Sequence, residues 1–304
     1  MTGTVIKANG IDIAYDEFGD RSNPTMLLVM GLGVQMISWP LPLCEDLASR
    51  GYHVLRFDNR DVGLSEKFDH SGQPNMFCVA LGSFLGLPVQ VPYRLMDMAE
   101  DAVGLLDALD IDTVHIVGAS LGGMIAQSFA AQYPSRCLSL TSVMSSSGRR
   151  GLPQAKLKVS LHMFNRPTSG DTEHRLAHAI QMLRLIGSPE FPDSEEEMRE
   201  RFIAAARRSD YALGYSRQLA AAFASGSRVQ DLKRIQAPTL VLHGKNDPLI
   251  PVAHGVDTAR WIPGAQLKVI DGWGHDLPKQ LLPRIADLIA THAAGTKDAA
   301  SGLA

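Results

Sequence analysis

Three apolar runs, Met26-Leu27-Leu28-Val29-Met30, Val54-Leu55-Arg56-Phe57 and Val114-His115-Ile116-Val117, lack the in–out alternation of a half-exposed strand. Runs of this kind suit strands buried on both faces, and helical patterns lie between them. Leu41 to Ser49 precedes the second run. Met96 to Leu109 precedes the third, with Met98, Val103, Leu106 and Leu109 at helical spacing. Strand alternating with helix predicts an α/β fold with a mostly parallel central sheet flanked by helices. Two extended segments, Val5 to Ala8 and Ile11 to Tyr15, open the chain, and Asn9-Gly10 between them is a strong hairpin signal.

Beyond a further strand at Leu138 to Met144 the strand signals stop. Residues 148–236 read as several helices, one carrying Leu176, Ile180, Leu183 and Leu185, another Phe202, Ile203 and Ala206. Ser194-Glu195-Glu196-Glu197 has the form of a capping box at a helix start. Strand patterns resume at Thr239 to His243 and Leu267 to Ile270, and a helix from Leu281 to Ala290 follows. The expected organisation is a core of residues 1–147 and 237–294, a helical cap at 148–236, and a disordered tail at 295–304, where small and polar residues predominate.

With 304 residues and no internal repeat, the chain suffices for one large core with a small appendage. Lys and Arg number 29 against 32 Asp and Glu, a net charge of −3, and no basic block stands out, so nucleic acid is not an expected partner. No stretch reaches the roughly 20 apolar residues of a membrane span, and the first residues lack a basic-then-apolar leader pattern. The cysteines, Cys44, Cys78 and Cys137, are odd in number and show no C-x-x-C spacing. That argues against a disulfide framework and a zinc site, and predicts a cytoplasmic location. No histidines and carboxylates cluster at metal-ligand spacing, so neither metal nor cofactor is expected.

The chemistry centres on Gly118-Ala119-Ser120-Leu121-Gly122, a G-x-S-x-G pattern set between an apolar strand and a helical pattern. Glycines let a strand-to-helix turn bend sharply and hold its serine exposed. A serine hydroxyl needs a base to become a nucleophile, and on this type of turn the acid and the base follow in the order Asp then His. Asp247, in His243-Gly244-Lys245-Asn246-Asp247-Pro248, follows a strand. His275, in Gly272-Trp273-Gly274-His275-Asp276, follows the last strand. The strand ending at Met144 leads into Ser145-Ser146-Ser147-Gly148, which holds no carboxylate. Asp271 and Asp276 are nearer His275 in sequence and compete with Asp247 as the orienting acid. Each residue also has an ordinary explanation: a glycine-rich turn, a helix cap, a surface histidine. Oxyanion donors are expected from the backbone N–H of Leu121, after the serine, and of Leu32, in the loop Met30-Gly31-Leu32-Gly33.

At these residues the chain resembles the α/β-hydrolase superfamily over nearly its whole length. Phe57-Asp58-Asn59-Arg60-Asp61-Val62-Gly63-Leu64-Ser65 is similar to that superfamily's D-x-R-G-x-G-x-S turn, with Asp61 where glycine is usual and Met30 where the oxyanion loop commonly begins His-Gly. Leu27-Leu28-Val29-Met30-Gly31, Trp39 and Asn59-Arg60-Asp61 resemble aclacinomycin methylesterase-like enzymes. The resemblance implies a cofactor-free hydrolase of a carboxylic ester, working through a Ser120–His275–Asp247 triad beneath a helical cap. A small apolar ester is the expected substrate, and a monomer or homodimer the expected state. A perhydrolase or a carbon–carbon bond hydrolase on the same triad, or a slow-turnover receptor for a small ligand, are the alternatives. The apolar stretch from Met76 to Val89 is expected to line an acyl pocket, pack under the cap or meet a second subunit.

Overall fold

The computed structural model describes residues 3–165, 167 and 172–301. Strands β1 (Thr4–Ala8) and β2 (Ile11–Phe18) form a hairpin closed by Asn9 and Gly10, both at positive φ, with Ala8 paired to Ile11. The sheet continues through β3 (Thr25–Val29), β4 (His53–Phe57), β5 (Val114–Ala119), β6 (Cys137–Val143), β7 (Thr239–Gly244) and β8 (Gln266–Ile270). Its order is β1-β2-β4-β3-β5-β6-β7-β8, antiparallel between β1, β2 and β4 and parallel everywhere else. From β3 the chain steps to one side to form β4, then crosses to the other to form β5. On such sheets ligands bind at that switch point, beyond the carboxyl ends of the strands, here β3 and β5.

Helices α1 (Leu41–Ser49), α2 (Met76–Leu85), α3 (Leu95–Ala108) and α4 (Leu121–Gln132) precede β6. Between β6 and β7 come α5 (Leu157–Phe164), α6 (Thr172–Ile186), α7 (Glu195–Arg208), α8 (Gly214–Ser225) and the short α9 (Val229–Leu232). Helices α10 (Ala253–Trp261) and α11 (Leu282–Ser301) complete the described chain.

The apolar runs divide residue by residue. Leu27, Val29, Leu55, Phe57 and Ile116 pack with Met98, Leu105, Ile125 and Phe129 of α3 and α4. Met26, Leu28, Val54 and Val117 face the opposite layer, where Leu43 and Leu47 of α1 meet Ile285 and Ile289 of α11. Each strand residue thus buries its side chain on one of two faces, which is why the runs show no polar alternation. Leu176, Ile180 and Met198 form a separate small cluster between α6 and α7. The Ser194 hydroxyl caps α7 by accepting the Glu197 N–H.

Two elements differ from the sequence expectation or sharpen it. Helix α11 continues past Gly295 to Ser301, because the alanines around that glycine favour the helix enough to carry it through; residues 302–304 of the expected tail lie outside the described residues. The stretch from Met76 contains α2, which packs on α8, where the Ser83 hydroxyl donates to the Phe223 carbonyl at 2.9 Å; Val79 and Gly82 are buried while Phe77, Leu81, Phe84 and Leu85 stay exposed.

The residue where glycine is usual, Asp61, has φ 69 and is buried. Its carboxylate accepts two hydrogen bonds from Arg217 of α8, at 2.8 and 2.7 Å, and one from the Tyr93 hydroxyl at 2.6 Å. Neither side chain of the ion pair is exposed at all. Removing one partner of such a pair leaves a buried charge unmatched, which costs about 3–5 kcal/mol. Arg217→Met is therefore expected to lose that much stability in urea denaturation, and the double variant Asp61→Gly, Arg217→Met to recover most of it. A double variant no more stable than Arg217→Met alone would contradict this reading of the pair.

Candidate active site

The turn from β5 into α4 holds Ser120 at φ 56 and ψ −118. A non-glycine residue in such a region carries about 1–3 kcal/mol of strain, so the surrounding structure must hold it there. It does so from both sides: the Ser120 N–H donates to the Val143 carbonyl at 2.9 Å, and the Ser145 hydroxyl donates to the Ser120 carbonyl at 2.8 Å. Close packing explains the flanking glycines. A Cβ on Gly122 would lie 2.0 Å from the Val29 carbonyl oxygen, and one on Gly118 would lie 2.2 Å from that of Gly122. The Ser120 hydroxyl caps nothing in α4 and is instead 3.0 Å from His275 Nε2.

His275 sits on the loop after β8, 8% exposed, and its Nδ1 is 2.7 Å from Asp247 Oδ2. Asp247 follows β7, and its side chain is fully buried. Its other oxygen, Oδ1, accepts the N–H groups of Leu249 and Ile250 at 2.9 and 2.8 Å. Both carboxylate oxygens are thus engaged, and the one left for His275 has a fixed direction.

The competing aspartates face elsewhere. Asp271 is exposed and pairs with Lys245 at 2.7 Å. Asp276 points back to Ser188, whose N–H and hydroxyl both donate to it, and burial pushes its carboxyl above the usual range. His115 and His243 are buried within strands. The thiols are no rivals to the serine: burial pushes Cys44 up to about 11 and Cys137 up to about 12, and Cys78 lies on the exposed part of α2.

Leu121 is the first residue of α4, where a backbone N–H has no acceptor within the helix. Gly31 lies against the serine, since a Cβ there would be 3.2 Å from Ser120 Cβ. Leu32 is the next residue on that loop after β3. The structure brings Ser120, His275 and Asp247 into one hydrogen-bonded row; Leu121 directly follows the serine, and Leu32 directly follows Gly31, which lies against it. A hydroxyl, imidazole and carboxylate in such a row can pass a proton between serine and imidazole, and helix-start N–H groups suit an anion.

Sequence patterns did not reveal what steadies these loops. The His275 N–H donates to the Ile186 carbonyl at the end of α6 at 2.7 Å, and the Gly274 N–H to the Ser188 hydroxyl at 2.9 Å. On the oxyanion-loop side, Gln35 donates to the carbonyls of Ala205 and Ser209 and accepts from Arg208, which also pairs with buried Asp58 at 2.6 Å. Asp61 in place of glycine was the only local hint that a buried cation lay opposite.

A serine set outward at the switch point of a mostly parallel sheet, with helices inserted before the last two strands, is the layout of an α/β hydrolase. The defining pattern of the alpha/beta hydrolase fold family matches residues 24–279, and the chain belongs to that family. It is 27% identical to rhodomycin D methylesterase of a Streptomyces sp., over 96% of this chain and 98% of that one. It is 29% identical to 2-hydroxymuconate semialdehyde hydrolase of Pseudomonas putida, over 66% of this chain and 70% of that one. Among solved structures, a meta-cleavage product hydrolase from Pseudomonas fluorescens superposes with a TM-score of 0.74 at 21% identity, covering 96% of this chain and 97% of that one. Among the described residues, no helix is long and apolar enough to cross a membrane.

Burial holds His243, behind Asp247, and His254, whose ring contacts Ser146 and the Pro153 carbonyl, below the usual imidazole value of 6.5. A lowered folded-state pKa means the unfolded chain binds more protons, so stability from keeping these rings neutral is complete above about pH 6.5 and declines as the pH falls through the folded value. Urea denaturation of the wild type between pH 7.5 and 5.5 should therefore show a steeper loss of stability than that of His254→Gln. Parallel pH profiles would rule out a contribution from His254.

Proposed function

We propose that the chain hydrolyses carboxylic esters through an acyl-enzyme, with Ser120 as nucleophile, His275 as general base and then acid, and Asp247 as the orienting carboxylate. The observation that carries this reading is the row Asp247–His275–Ser120, with contacts of 2.7 and 3.0 Å. In the first step Ser120 Oγ attacks the ester carbonyl carbon while its proton passes to His275 Nε2. Asp247 holds the proton on Nδ1 and stabilises the imidazolium. The carbonyl oxygen becomes an oxyanion facing the N–H groups of Leu32 and Leu121. As the tetrahedral adduct collapses, the alkoxide leaves with the proton from Nε2. Water then attacks the acyl-serine by the same route, releasing the acid and restoring the hydroxyl. No cofactor takes part.

The full-length likeness to a methylesterase supports an ester over other acyl substrates. A second reading, carbon–carbon bond hydrolysis with the same three residues, is favoured by the partial likeness to the semialdehyde hydrolase. We further read residues 148–236 as a cap over the carboxyl ends of the strands, bounding the space in which the acyl group lies. Its contacts with the His275 loop and the oxyanion loop support that reading.

Short p-nitrophenyl esters test the assignment. Ser120→Ala is expected to lower turnover on the order of 10⁶-fold. Asp247→Asn is expected to lower it by roughly 10⁴-fold through the wrong imidazole tautomer. Asp271→Asn and Asp276→Asn should stay within tenfold of wild type. Normal turnover by Asp247→Asn, with either of the other two crippled, would transfer the role of orienting acid.

A further inference from the structure

Helix α8 lies in the insert, 185 residues along the chain from the oxyanion loop, yet one of its side chains reaches that loop. Gln218 has no exposed surface. Its Oε1 accepts the Gly33 N–H at 2.8 Å, and its Nε2 donates to the Arg60 carbonyl at 2.7 Å. The preceding residue is Arg217, locked to Asp61, and a Cβ on Gly214 would lie 2.0 Å from the Asp61 carbonyl oxygen. The first turns of α8 are therefore pressed onto the Asn59–Gly63 turn, and Gln218 has little freedom to follow a moving loop.

The other end of the oxyanion loop is held from the same turn, as Asn59 Nδ2 donates to the Met30 carbonyl at 2.9 Å. Gly31, Leu32 and Gly33 thus lie between two side-chain anchors. Peptide planes are rigid, so fixing the Met30 carbonyl and the Gly33 N–H leaves Leu32 between them few ways to turn. Gly33, at φ 65, adopts a conformation that glycine accepts without strain and that gives the loop no stiffness of its own.

We propose that Gln218 is a positioning residue for the oxyanion hole: by holding the Gly33 N–H it aims the Leu32 N–H at the oxygen that becomes charged in the tetrahedral adduct. This rests on the ester-hydrolase reading above. Gln218 does not touch the substrate; it acts through Leu32, and its effect belongs to the transition state. A donor displaced by a fraction of an ångström binds the ground-state ester almost as well as before, but stabilises the oxyanion less.

The test is Gln218→Met, close in size but unable to make either hydrogen bond, assayed on a p-nitrophenyl ester. The expected result is a fall in kcat of about 10- to 100-fold, less than the loss of a whole donor, with KM within threefold of wild type. A trifluoromethyl ketone, to which Ser120 adds to give a tetrahedral hemiketal, should lose affinity by the same factor as kcat/KM. An unchanged kcat, or a lowered kcat with unchanged affinity for the ketone, would overturn the proposal. If the variant does not fold, amide hydrogen exchange of the labelled wild type decides. A protected Gly33 N–H is expected, and one exchanging as fast as a solvated loop amide would overturn the proposal. A wild type that hydrolyses no ester would sink the ester-hydrolase reading and this inference together. An active wild type with an unaffected Gln218→Met would sink this inference alone.

Discussion

The backbone of Ser120 carries the constraint on which the rest of the site depends. A serine at φ 56 has its Cβ where a glycine would have none, and the strain is tolerated only because strand and helix are pressed together around it. That packing sets the glycines at 118 and 122, the approach of the Val29 carbonyl and the tie to Val143 on the neighbouring strand. Once the turn is fixed, its hydroxyl projects from the sheet edge and the first N–H groups of α4 point the same way. The loops after β3, β7 and β8 need only end at that edge, which parallel strands of one sheet ensure.

The inserted helices are tied to the loops at this edge. Each of the two loops flanking the serine is bonded to them: the histidine loop to Ile186 and Ser188, the oxyanion loop to Gln218 and, through Gln35, to Ala205, Arg208 and Ser209. Two buried ion pairs, Arg208–Asp58 and Arg217–Asp61, fasten α7 and α8 to the turn after β4. Buried pairs add little net stability compared with well-packed apolar residues, but they penalise any arrangement that separates the partners. Here that penalty fixes how the insert sits on the core. Substitutions in the insert will therefore alter more than the shape of a substrate pocket.

Much of the fold could be read from local pattern. All eight strands leave a signal: a strand buried on both faces, or a hairpin closed by Asn9-Gly10, needs particular residues at consecutive positions, while the largely exposed β8 shows only Leu267, Val269 and Ile270. That Ser120, Asp247 and His275 meet was legible for a related reason, since each follows a strand and chain order constrains which aspartate and which histidine can reach the serine. The braces were not legible. Gln218 and Gly33, or Arg217 and Asp61, lie more than 150 positions apart, and beyond an aspartate where glycine is usual nothing in their sequence neighbours announces that they meet. The fate of the Met76–Val89 stretch was similarly hidden, because a run with apolar residues on all sides has no periodicity to say which face packs. Helix α11 outran its expected end because composition alone cannot distinguish an alanine-rich tail from an alanine-rich helix.

The central claim is that Ser120 becomes covalently acylated, and a mechanism-based label tests it most directly. A fluorophosphonate reacts with a serine only when a neighbouring base has activated it, displacing fluoride as the Oγ–P bond forms. After incubation with the intact protein and proteolysis, peptide mass spectrometry should find one phosphonate per chain, on Ser120, with loss of ester hydrolysis in proportion to labelling. A label on another residue, or full ester hydrolysis by protein labelled at Ser120, would contradict the account.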